Sequence, residues 1–66
     1  MMTNLDRYID RLVRDYGSDA AAMQRLIDRF ASRNDEGWTF DECDQIAHAL
    51  REEQAYRAVR ITRERI

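Results

Sequence analysis

The chain has no proline, no lysine, a single cysteine and only two glycines in 66 residues. Without proline, no residue removes a backbone donor from a helix interior, so chain breaks fall to Gly17 and Gly37. One cysteine cannot form an intramolecular disulfide, and one histidine leaves no Cys/His set for a structural zinc. The longest apolar run, Ala20-Ala21-Ala22-Met23, is far short of the roughly 20 residues that cross a bilayer. No Ser/His/Asp set and no glycine-rich phosphate loop is written anywhere. No membrane segment, cofactor, metal or enzymatic activity is expected.

What remains is the composition of one small helical domain, 44% hydrophobic and 36% charged. A chain of this size buries only about 60% of the surface its unfolded form exposes. Its core supplies roughly 3–5 kcal/mol unless something else staples it. The first residues lack a basic stretch followed by an apolar one, so a cytoplasmic protein with a reduced thiol is the expectation. All eleven basic residues are arginine, which matters only where they cluster, because arginine forms bidentate contacts that lysine does not.

The periodicity gives three helices. The first runs from about residue 4 to 16, with Thr3 or Asn4 as its cap and Leu5, Tyr8, Ile9, Leu12, Val13 and Tyr16 on one face. Gly17 then suits a left-handed helix end, and Ser18 caps the next helix. So short a connection dictates an antiparallel helical hairpin. The second helix, about 19 to 32, turns Ala20, Met23, Leu26, Ile27, Phe30 and Ala31 to one side. The polar Asn34-Asp35-Glu36-Gly37 turn leads to the best-written start in the chain. Thr39 and Glu42 form a capping box, Trp38 stands where a hydrophobic staple onto Cys43 would, and Asp41 and Glu42 face the positive end of the helix dipole.

The third helix, about 40 to 64, has no written stop and would reach roughly 40 Å, twice the length of the others. Its apolar residues fall into two stripes. Cys43, Ile46, Ala47, Leu50 and Gln54 form one, while Ala55, Ala58, Val59, Thr62 and Ile66 form another, rotated by roughly 120°. One straight helix cannot turn both toward one core. Either it bends near 51–54 or the second stripe, with Ala55, Val59, Thr62 and Ile66 as its interface residues, meets something else, a second copy included.

Several patterns suggest chemistry and then fall short of it. Asp44, His48 and Glu52 stand four apart on one helical face, the spacing of a divalent site, but a solvated stripe with a steadied histidine reads better. Cys43 lies near a helix N-terminus, where a thiol pKa falls, yet it sits on the core stripe and His48 points elsewhere. Ser32, Asn34 and Glu36 lead into Gly37 like half of a calcium loop, but Cys43 stands where the bidentate glutamate belongs.

Charge is divided where chemistry is not. Residues 1–33 carry a net +1, residues 34–54 a net −6, and residues 55–66 a net +3. The acidic middle (Asp35, Glu36, Asp41, Glu42, Asp44, Glu52 and Glu53) reads as a carboxylate array facing a partner's basic, nucleic-acid-binding type of surface. Direct nucleic-acid binding is disfavoured, because the acidic middle repels a duplex and Arg57, Arg60 and Arg63 drift around the helix.

The fold class is therefore all-α: a short antiparallel hairpin packed on a longer C-terminal helix, in a single domain over 1–66. The function that fits is a non-enzymatic protein-binding module. In size, acidity, three-helix layout and lack of motifs the chain resembles the small helical inhibitors that phages encode, the anti-CRISPR proteins among them. That resemblance implies an inhibitor of a Cas complex and transfers no residue. The alternative is a small dimeric DNA-associated regulator, or a structural homodimer, built on the C-terminal helix.

Overall fold

A computed structural model of the chain describes residues 2–34 and 36–64, the side chains of 60–64 excepted. It is all-α. Helix α1 spans Asn4–Tyr16, α2 spans Ala20–Ala31 and α3 spans Phe40–Glu64. Asp35 and Ile66, and the side chain of Thr62, lie outside the described residues.

Side chains write the three starts. At α1 the Asp6 amide donates to Thr3 Oγ1 and the Thr3 amide donates to Asp6 Oδ2, both at 3.1 Å. Two of the orphan donors of the first turn are thereby satisfied. At α3 the same reciprocal pair joins Thr39 and Glu42 at 3.0 and 3.1 Å, as the Thr-x-x-Glu spacing requires. At α2 the cap is Asp19 rather than Ser18: its carboxylate accepts the Ala22 amide at 3.1 Å. An aspartate adds a charge that the helix dipole favours, and Gly17-Ser18-Asp19 is then the whole connection.

Gly17 departs from expectation. Its φ of −63° and ψ of −23° are ordinary right-handed values, not a left-handed helix end. The reason for glycine is space. A Cβ there would collide with the Val13 carbonyl oxygen and lie 2.8–2.9 Å from the Arg57 guanidinium, which α3 brings against the end of α1. The left-handed residue is instead Arg33, with φ 60°, just past the Ser32 cap of α2. Its amide donates to the Phe30 carbonyl at 3.1 Å, one of the bonds that close a helix in this way.

The core is one cluster: Leu12 from α1, Met23, Ile27 and Phe30 from α2, and Cys43, Ile46, Ala47 and Leu50 from α3. Phe30, Ile46 and Leu50 are fully enclosed, each contributing about 1.5–3 kcal/mol from burial. The most extensive packing is of α2 on α3, while α1 supplies a single buried residue, Leu12. Tyr16, on the apolar face of α1, stays exposed, as do Ala20 and Ala31 of α2, while Ala22 is buried instead. Met23, Leu26, Ile27 and Phe30 span about 100° of α2; Ala22 widens that arc toward the core, whereas Ala20 and Ala31 widen it toward solvent. Trp38, half-buried, packs on the cluster that holds Cys43 and sets its ring 4.9 Å from that of Tyr8, which in turn meets Phe30 edge-on at 6.2 Å.

Helix α3 passes through 51–54 as one uninterrupted helix. Its 25 residues run roughly 37 Å, most of the 43 Å long axis of the molecule. The first apolar stripe is buried, and its last member, Gln54, is half-buried and donates to Gln24 Oε1 of α2 at 3.2 Å. Of the second stripe, Ala55, Ala58 and Val59 stand in solvent. No bend brings them to the core.

Candidate functional site

The acidic stretch divides by what each carboxylate touches. Glu42 is half-buried and its carboxylate holds the helix cap. Asp44 grips Arg33 in a bidentate pair, with Oδ1 at 3.1 Å from Nε and both oxygens 2.8 Å from one terminal nitrogen. Glu52 meets His48 Nε2 at 3.1 Å, and Glu53 accepts from Arg57 Nε at 2.9 Å. Glu36 and Asp41 have no cation partner among the described residues, and both are exposed.

The backbone explains why these two stand clear. Gly37, at φ +86°, takes a left-handed conformation with open space around its α-carbon, so the requirement there is conformational. The turn sends Trp38 inward onto Tyr8 and leaves Phe40, the first residue of α3, 67% exposed. The Arg33 guanidinium carbon lies 5.6 Å from the Phe40 ring centre, within cation–π range. Arg33 is already neutralised by Asp44, so it does not quench the two free carboxylates. The result is an exposed ring at the first residue of α3, with the exposed carboxylates Glu36 and Asp41 close to it in the chain. Sequence reasoning named both carboxylates and missed Phe40. The available signal was its position before the core stripe begins at Cys43.

Asp44, His48 and Glu52 do not act together. Asp44 is turned to Arg33 and His48 to Glu52, which splits the trio into two separate exposed pairs. No group of His, Cys, Asp and Glu able to hold a metal occurs among the described residues. Cys43 is buried and belongs to the core cluster. No helix among the described residues is long and apolar enough to cross a membrane.

Further along, α3 carries its exposed apolar residues. Ala55, Tyr56 and Val59 are exposed, Tyr56 at 64% and Val59 at 55%. On its inner side, the Arg57–Glu53 pair borders an open groove of about 780 Å³ between the α1–α2 connection and α3, lined also by Met23 and Gln54. Comparison with known proteins gives no match to the chain, whether to a family model, a curated protein or a solved structure. Function has to be argued from these surfaces alone.

Proposed function

We propose that the protein is a non-enzymatic, cytoplasmic binding module that docks on a basic protein surface through Glu36, Phe40 and Asp41. The observation that carries this reading is the pair of exposed carboxylates without an internal cation beside an exposed aromatic ring. Carboxylates already spent on Arg33, His48 and Arg57 would have to break those pairs to serve a partner. Glu36 and Asp41 would not. An aromatic anchor ringed by charge is the composition that concentrates binding energy at interfaces, and complementary charge adds specificity and speed of encounter.

A surface that attracts phosphate also attracts an array of carboxylates, so such a module blocks nucleic acid from its site. This is inhibition of the kind the resemblance to phage-encoded anti-CRISPR proteins implies, with a Cas complex as the partner. The test is target-DNA binding by a panel of CRISPR effector complexes with the protein added. The expected result is inhibition of at least one complex, lost on the double change Glu36→Lys and Asp41→Lys. Absence of inhibition across the panel overturns the inhibitor reading.

A further inference from the structure

Arg33 joins two residues that stand one turn apart on α3. Both oxygens of Asp44 hold one of its terminal nitrogens at 2.8 Å, and its guanidinium carbon lies 5.6 Å from the Phe40 ring centre. Phe40 and Asp44 are four residues apart, so a single cation reaches both on one helical face. The ring has little else to order it. Phe40 is 67% exposed and is the first residue of α3, so no preceding helical turn restricts its χ1. Without Arg33, all three staggered wells are open to it.

We propose that Asp44, acting through Arg33, holds the Phe40 ring in the rotamer that a partner meets. A guanidinium gripped by a carboxylate fork is a cation fixed in place, and an aromatic ring within its reach is attracted to it electrostatically. The ring is then ordered before any encounter, and complex formation does not have to freeze it. Reducing three equal wells to one in advance is worth about threefold in affinity. Arg33 and Asp44 are positioning residues, since they act on binding through Phe40. The consequence for binding rests on the docking function proposed above; the ordering of the ring does not.

The experiment measures the three-bond couplings that report the Phe40 χ1 rotamer in the parent, in Asp44→Asn and in Arg33→Gly. Each protein is also titrated in the effector-inhibition assay. The two substitutions move the formal net charge in opposite directions, from −2 to −1 and from −2 to −3. Bulk acidity would therefore weaken one inhibitor and strengthen the other. The expected result is one dominant rotamer in the parent and averaged couplings in both variants. Inhibition should weaken about threefold in both, although Arg33→Gly removes backbone strain. Averaged couplings in the parent, or a ring that stays ordered in either variant, overturn the proposal. So does inhibition that follows net charge, or that is unchanged in both variants. If no effector complex is inhibited, the docking function falls, and the couplings alone decide whether Asp44 orders the ring.

Discussion

Replacing Gly17 by alanine separates two accounts of the same residue by the sign of the effect. At φ −63° and ψ −23° an alanine is conformationally at ease, and relief of unfolded-state entropy alone would stabilise the protein by about 0.4–1 kcal/mol. The surroundings say otherwise. The new Cβ would collide with the Val13 carbonyl oxygen, which already accepts the Gly17 amide at 2.8 Å. It would also press on the Arg57 guanidinium, at 2.8 Å from one nitrogen. That guanidinium is tethered by Glu53 and stands at the end of α1, where the helix dipole favours a cation. The Arg57 side chain can swing away at small cost; the Val13 carbonyl can move only with the last turn of α1. Overpacking of this kind costs typically about 1–3 kcal/mol, so the balance is a net loss of about 1–2 kcal/mol. In a domain this small each kcal/mol moves the thermal midpoint by roughly 4–8 °C. Urea and thermal unfolding followed by circular dichroism measure it. In an Arg57→Ala background the cost should shrink but keep its sign, because the carbonyl clash remains. A midpoint that rises on Gly17→Ala refutes the close-approach argument.

Two other substitutions test the packing and the turn. Leu50→Ala removes a fully enclosed side chain from the centre of the core, and the usual cost of about 2–5 kcal/mol rivals the whole stability expected of a domain this size. It should abolish the cooperative urea transition, and a retained, barely shifted transition would contradict the assigned core. At Arg33 the left-handed backbone costs about 1–2 kcal/mol, while its exposed ion pair with Asp44 returns about 0–1 kcal/mol. Arg33→Gly, which relieves the strain as it loses the pair, should therefore match the parent or exceed it by up to about 2 kcal/mol. Arg33→Ala loses the pair and keeps the strain, so it should be the less stable of the two. Equal stability of both variants would remove the strain from the account.

The parts of the fold that local chemistry writes were legible in the sequence. The Thr39–Glu42 box, with Trp38 before it, starts α3 at Phe40, and the apolar steps of Leu12, Met23, Ile27, Phe30, Ile46 and Leu50 describe the core. Alanine was less informative. With Ala20, Ala21 and Ala22 adjacent, a methyl group gives too little contrast to say which one the core takes. Gly17 was misread because a glycine after a helix has two physical causes, a positive φ or a crowded α-carbon. Here the crowding comes from the Val13 carbonyl, four residues back, and from Arg57, forty residues along the chain, which arrives through tertiary packing. The partners of the carboxylates depend on tertiary packing in the same way. Their count is visible in the chain, but Asp44 is engaged by Arg33 only because α2 ends in a left-handed turn that aims the guanidinium at α3. The outward second stripe of α3 was legible as a phase difference, and the uninterrupted helix decides between bend and exposure.

The central claim is that specific carboxylates at the start of α3, rather than bulk acidity, recognise a basic partner. The most direct measurement compares two doubly charge-reversed proteins in the effector-inhibition assay, at matched net charge. One carries Glu36→Lys and Asp41→Lys; the other carries Asp10→Lys and Asp15→Lys, exposed carboxylates of α1 paired to Arg14 and Arg11. The account predicts that the first loses inhibition and the second keeps it. Equal loss in both would mean that net charge alone carries the binding, and would contradict the site.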